Sequence, residues 1–447
     1  MICRPTTLPL IALVITGCAT VLGIDEPAPR NSDGSANGGI GGGDSMSNGG
    51  QAGERAGVGG EGPNFGGAAG NDNGGAAGTA GAAGVSDLGG SGGADGGAGQ
   101  GGGGQGGSAG NEKVGCGSDC GSCQLGVCND CSDGDVRCVN DVAQQCAKGS
   151  WTRGTLCRNY CLKGACINPP SCTADEATCQ GGISCCKAYE VPGGAFKRSY
   201  DDVDFLDDGY PATVSPFVLD KFEVTVSRMR HFVTDYSPQQ FKSGDGKSIH
   251  FSADPGWQTQ YPLPATSTEL TQMLNCTGTT WTDEANQGQG TLPISCVNFF
   301  IAYAFCIWDG GRLPSEAEWN FAASGGDEQR FYPWSVPPMN PAIDSTYATF
   351  EALEARLVGL TPKGDARWGH SDLAGNLVEW TLDYYYDDYQ SNVCDDCIDV
   401  RPGDDVRVLR GGYYFADRYF SKAAYRDSSS SSTSSPYAGF RCAYDIH

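Results

Sequence analysis

The chain has 447 residues, 68 of them glycine and only 18% charged, with a formal net charge of −24 and a pI near 4.4. Thirty-five of the glycines fall between Asn31 and Gly110; so few apolar side chains there cannot offset chain entropy, which excludes a single continuous globule. The acidic balance argues against nucleic acid or an anionic membrane surface as the electrostatic partner, and it permits calcium.

Residues 1–17 read as an export signal. Arg4 supplies the positive start, and the apolar core Leu8–Ile15 is too short to cross a bilayer. The closing Ile15-Thr16-Gly17-Cys18 resembles the bacterial lipobox. That resemblance implies cleavage before Cys18 and acylation of its thiol and amine, which would anchor the protein stably. An ordinary signal peptide or a true membrane anchor is the alternative. Ala19 follows where an Asp would suggest inner-membrane retention. The implied location is exported and lipid-anchored, at the bacterial outer membrane or cell surface, with the membrane as partner through the lipid. Without Cys3 and with Cys18 lipidated, an even number of cysteines is left, which suits full pairing outside the cytoplasm.

Residues 18–115 form the lipidated start and a disordered Gly-rich linker. No Gly-Lys-Ser/Thr closes any of its glycine runs, so a phosphate-binding loop is rejected. As a coil it would span roughly 50–60 Å. Residues 116–186 hold 14 of the 22 cysteines and few bulky apolar residues. Disulfides must stand in for a core there. Cys120/Cys123 and Cys128/Cys131 also have zinc-like spacing, and pairing cannot be deduced from spacing.

Residues 187–447 are long enough to build a large core. Three helices are predicted. One follows Thr225, a cap, with Met229, Phe232 and Val233 at helical spacing. A second runs from about Asn298 to Trp308 and is stopped by Asp309-Gly310-Gly311. A third opens on Ser315 with Glu318, a capping box, and ends at Gly325-Gly326. The remainder reads as short strands, turns and long irregular loops held by aromatics, disulfides or ions.

The motifs then point to a family. Val191-Pro192-Gly193-Gly194-Ala195-Phe196, Pro216–Thr225, Pro293–Val297 with Ala302–Cys306, Gly311-Arg312-Leu313-Pro314-Ser315-Glu316-Ala317-Glu318-Trp319, Tyr332-Pro333-Trp334, Asp372–Trp380, Arg407–Gly412 and Gly439-Phe440-Arg441-Cys442 resemble, in order, the signature segments of the formylglycine-generating enzyme, or sulfatase-modifying factor, family. The resemblance implies an α+β fold similar to a C-type lectin, loop-rich, with short strands and few helices, preceded here by the disulfide-rich module and the linker. Arg312, Glu316, Glu318 and Glu379 read as charged pairs and caps that fasten loops.

The family oxidises a peptidyl cysteine with oxygen through two cysteines that bind Cu(I), a soft ion suited to thiolates. By the count after Gly411-Gly412, those positions are Ala416 and Ser421. Neither is a soft ligand, so copper is not expected and no catalytic residue is assigned. The family's second, iron-dependent branch needs ligating histidines. His231, His250, His370 and His447 lack that spacing. Calcium is open through the family, with Asp365 as the residue to hold it. Trp380, Tyr384, Tyr385, Asp387, Tyr413, Tyr414, Arg418 and Arg426 are placed near the family's cleft; the tyrosines would form a recognition surface or line an irregular core. Cys394 with Cys397, Cys276 with Cys296, and Cys306 with Cys442 are the expected disulfides. Three functions stay open. One is an anchored, non-catalytic protein that binds an envelope protein, peptide or glycan. The second is a family oxidoreductase acting on a protein cysteine or sulfur group through a different metal centre. The third is a purely structural envelope component.

Overall fold

The computed structural model describes residues 122–124, 127–129, 131–172, 178–283, 289–389, 393–400 and 405–446. Residues 1–121, which include the export signal, Cys18 and the linker, lie outside them, as do Cys116 and Cys120.

The four α-helices among the described residues form where capping and burial agree. Helix α1 (Val226–Asp235) is capped by Thr225, whose hydroxyl accepts from the Arg228 amide, and it buries Val226, Met229 and Phe232. Helix α2 (Ser267–Leu274) is an element the sequence reading passed over. Helix α3 (Phe299–Trp308) starts at the Asn298 cap and is buried from Phe299 to Cys306. Helix α4 (Glu316–Ser324) has the Ser315/Glu318 capping box and ends at Gly325 in the left-handed region.

Short strands make up the rest. Phe217–Asp220 lies between Ala188–Val191 and the C-terminal Ala443–Asp445, antiparallel to both. Gly194–Lys197 pairs antiparallel with Pro211–Val214, which takes Cys394–Asp395 in parallel on its other side. A four-stranded sheet runs Asp427–Ser430, Val406–Arg410, Val378–Tyr384, Ala438–Gly439. Its second and third strands pair Trp380 with Leu409, and their register shifts before Tyr384. That shift turns the end of the strand out of line with its start.

One core packs α1 and α3 against this sheet through Phe232, Trp257, Phe299, Phe305, Trp380 and Phe440. A second gathers Trp319, Phe321, Leu219 and Leu373. Burial of each large side chain contributes about 1.5–3 kcal/mol.

The described part of the Cys-rich region is stapled rather than cored. Its bonds are Cys131–Cys146, Cys138–Cys161, Cys157–Cys166, Cys172–Cys186 and Cys179–Cys185. Cys131 is therefore a disulfide partner and not part of a zinc-like pair. The region rests on the larger part through Tyr160, whose ring lies tilted against that of Tyr444 with centroids 4.9 Å apart. Ser171 donates its amide to Asp309 at 2.8 Å and accepts from Arg228 at 2.9 Å. Arg228 is itself fully buried between Asp220 and Asp309. In the larger part Cys276–Cys296, Cys306–Cys442 and Cys394–Cys397 are bonded. No helix among the described residues is long and apolar enough to cross a membrane.

Candidate functional site

The segment that holds Ala416 and Ser421 is built by its backbone. Strand Val406–Arg410 runs into Gly411-Gly412, and Gly412 has φ of +71°. A Cβ there would lie 2.6 Å from the Phe420 carbonyl oxygen. Only glycine lets the chain fold back so closely on itself. The Tyr414 amide donates to the Asn376 carbonyl at 2.8 Å, and the Tyr414 and Ala416 carbonyls accept from the amides of Ala352 and Glu351. Gly375 fits under the same loop, where a Cβ would meet the Thr349 carbonyl at 2.2 Å. Asp417 then caps the short turn Arg418–Ser421 by accepting from the Tyr419 amide.

Ala416 is buried and offers no donor atom to a metal. Ser421 is wholly buried, and its Oγ has no hydrogen-bond partner among the described residues. One hard, neutral hydroxyl beside a methyl group does not fit Cu(I), which needs soft thiolates. Nor do the described residues contain a group of three or more His, Cys, Asp or Glu side chains able to hold a metal ion.

Beside this segment lies an aromatic face. Tyr437 packs against Tyr413 at 4.9 Å, Tyr414 at 5.3 Å and Phe415 at 6.4 Å. Phe415 is 43% exposed. Neither Phe415 nor Tyr437 was singled out from the sequence; the sequence signal available was the aromatic run Tyr413-Tyr414-Phe415 itself.

The other predicted cleft residues do not all converge there. Trp380 is wholly buried, its Nε1 donating to the Val297 carbonyl, so it belongs to the core. Tyr385 lies under the Arg426 guanidinium at 4.9 Å. Arg426 makes a two-pronged bond to Glu316 at 2.6 and 2.9 Å, and Arg410 reaches the same carboxylate at 3.0 Å. Burial alone would raise the Glu316 carboxyl, but Arg426 and Arg410 hold it below its ordinary range. Asp383, next to it, is pushed up to about 7 by burial and by the Glu316 charge. Tyr384 faces a separate pocket with Arg407. Asp387 and Arg418 are exposed, and the Arg418 carbonyl accepts from Tyr332. Asp365 pairs with Lys221 at 3.0 Å and accepts from Ser371 at 2.6 Å, so both its oxygens are engaged.

The charged motif residues act as fasteners. Arg312 grips Glu318 with two bonds of 2.7 Å. Arg441 grips Glu379 at 2.6 and 2.8 Å and also donates to the carbonyls of Asp220, Lys221 and Ser371.

With this geometry in place, the family model and the sequence relatives agree with one another. The family model described as the sulfatase-modifying factor enzyme 1-like domain matches residues 178–446. The chain is 31% identical over 276 residues to the inactive C-alpha-formylglycine-generating enzyme 2 of Mus musculus, covering 57% of this chain and 84% of that one. It is 29% identical over 289 residues to the formylglycine-generating enzyme of Thermomonospora curvata, covering 57% and 92%. Among solved structures, PvdO from Pseudomonas aeruginosa aligns at 19% identity with a TM-score of 0.41, covering 58% of this chain and 94% of that one.

Proposed function

The chain belongs to the sulfatase-modifying factor enzyme 1-like domain family, and we propose that in this member the domain does not form formylglycine and serves binding at the cell envelope. The observation that carries the reading is the pair Ala416 and Ser421, a methyl group and a buried hydroxyl where the family's chemistry needs two thiolates. Similarity to a mammalian relative named inactive supports it.

On this reading the aromatic face of Tyr413, Phe415 and Tyr437, backed by the buried Tyr414, is the contact surface for an envelope protein, peptide or glycan. Flat rings with polar tips suit such contacts. The protein is held at the membrane by lipid on Cys18, and the Gly-rich stretch acts as the tether. Calcium at Asp365 would have to displace the Lys221 ammonium, so the reading does not depend on it.

The test uses the full chain with its disulfides formed. It is incubated with Cu(I), oxygen and a Cys-x-Pro-x-Arg peptide beside a family enzyme that converts it, and the peptide is read by mass spectrometry. We expect the cysteine unchanged. An aldehyde product would overturn the reading and make the chain an oxidase with another centre. For the anchor, replacing Cys18 by Ala is expected to move the protein from the membrane fraction to the soluble one.

A further inference from the structure

Buried arginines in this fold come with carboxylates. Arg228 has Asp220 and Asp309, Arg312 has Glu318, Arg410 and Arg426 share Glu316, and Arg441 has Glu379. Arg407 is 4% exposed, and none of the ion pairs among the described residues includes it. One of its terminal nitrogens donates to the Leu382 carbonyl, the other reaches the Tyr261 hydroxyl only at 3.4 Å, and Nε has no acceptor. The guanidinium is sandwiched instead, 3.5 Å from the Tyr384 ring centroid and 4.0 Å from that of Phe299. Aromatic faces offset only part of the cost of burying a cation.

Arg407 lines a cavity of about 220 Å³. Leu382, Ile398, Val400, Phe299 and Tyr303 give it an apolar wall, and Tyr261 and Tyr384 add phenol groups. Asp254 also lines it, but its two oxygens already accept from the backbone amides of Gly256 and Ser248, at 2.8 and 3.2 Å. A cavity of about 150 Å³ is enough for benzene, so this one has room for a single-ring acid.

We propose that this cavity binds a small organic carboxylate, with Arg407 as its counter-ion and the Ile398–Val400 wall against its apolar body. The guanidinium charge complements that of a carboxylate. A single cation backed by apolar walls is poorly furnished for a phosphate or sulfate, which asks for donors on several sides. The carboxylate could belong to a free acid or to a peptide terminus. The site is separate from the aromatic face beside Ala416, and the proposal stands whether or not the chain has copper chemistry.

The experiment is calorimetric titration of the full chain, disulfides intact, with benzoate, benzyl alcohol, sulfate and a tripeptide ending in a free or an amidated Phe. We expect one benzoate site, and benzyl alcohol weaker by about tenfold or more, the worth of a charge-assisted bond. Ile398→Trp, which fills the cavity and leaves Arg407 in place, is expected to abolish benzoate binding. Arg407→Lys is expected to weaken it. A free-acid peptide that binds where the amide does not assigns the terminus as the source; benzoate alone assigns a free acid. Equal affinity for benzoate and benzyl alcohol would overturn the role of Arg407. Sulfate binding as tightly as benzoate would overturn the ligand class. Full benzoate affinity in Ile398→Trp would overturn the location. No heat with any probe would overturn the site. The comparisons on the unaltered chain stand even if either variant fails to fold.

Discussion

His370 is the residue whose burial has the clearest solution consequence. Its ring is wholly buried, edge-on to Tyr189 at 5.9 Å. Burial, with the nearby Arg441 and Lys221 charges, pushes its pKa down to about 3. The unfolded chain takes up that proton near pH 6.5, so between pH 6.5 and 3 the unfolded state binds more protons than the folded one. Stability from His370 is therefore present above pH 6.5 and is lost as pH falls towards 3, by roughly 3–5 kcal/mol over the whole window. Asp372, raised to about 6, and Asp383, raised to about 7, act oppositely: each loses stability as pH rises from about 4 through those values. The contrast between chains isolates the histidine. His370→Phe keeps a ring against Tyr189 and is expected to lose less stability than the unaltered chain from pH 7 to pH 4, as read from urea midpoints. Equal losses would show that His370 is not held neutral. None of this was visible in the sequence, where His370 showed only a lack of ligand spacing. Arg407 was visible only as a letter in a motif, because its lack of a carboxylate depends on which strands meet.

At the scale of elements, the caps are where sequence and structure coincide. Ser315 Oγ accepts from the Glu318 amide at 3.1 Å, and Glu318 returns the bond to the Ser315 amide at 2.9 Å. Ser315→Ala is expected to cost about 1 kcal/mol, measured by chemical denaturation; an unchanged midpoint would mean that Arg312 alone holds Glu318. The same signal was present at α2, where Thr266 stands three residues before Glu269, with Leu270 and Leu274 one turn apart. The Thr266 hydroxyl accepts from the Glu269 amide at 3.2 Å. The helix is short and mostly polar, so its two buried leucines make a weak periodic signal. The strands were less legible for a physical reason. Most are two to five residues long, as in Cys394–Asp395 and Val406–Arg410, and their pairing is set by distant partners rather than by local alternation. The candidate cleft suffered in the same way. Tyr384 and Tyr385 are neighbours in sequence but face different places, one to Arg407 and one to Arg426. Tyr384 is the last residue of its strand and Tyr385 the first beyond it, so no local alternation marks where either ring goes.

At the scale of the molecule, the two ends of the domain are closed on one another. Phe217–Asp220 pairs with the first strand of the domain on one side and with the last strand of the chain on the other. Cys306–Cys442 bolts α3 to that last stretch across 136 residues, whereas Cys394–Cys397 spans only 3. A cross-link stabilises mainly by restricting the unfolded chain, and more so for the longer loop: about 5 kcal/mol for the first and about 1.6 for the second on the loop-entropy estimate. Both sulfurs of the long bridge are also fully buried, so its removal leaves a gap in the core. Cys306→Ala with Cys442→Ala is therefore expected to lower the melting temperature far more than Cys394→Ala with Cys397→Ala. If the two double variants melt together, the closure of the domain rests on the strand Phe217–Asp220 and its neighbours, and the long bridge is incidental to it. If the long-bridge variant alone frays, proteolysis should begin in residues 443–446, since these hold to the sheet by the Phe217, Val218 and Leu219 pairings and to Arg312.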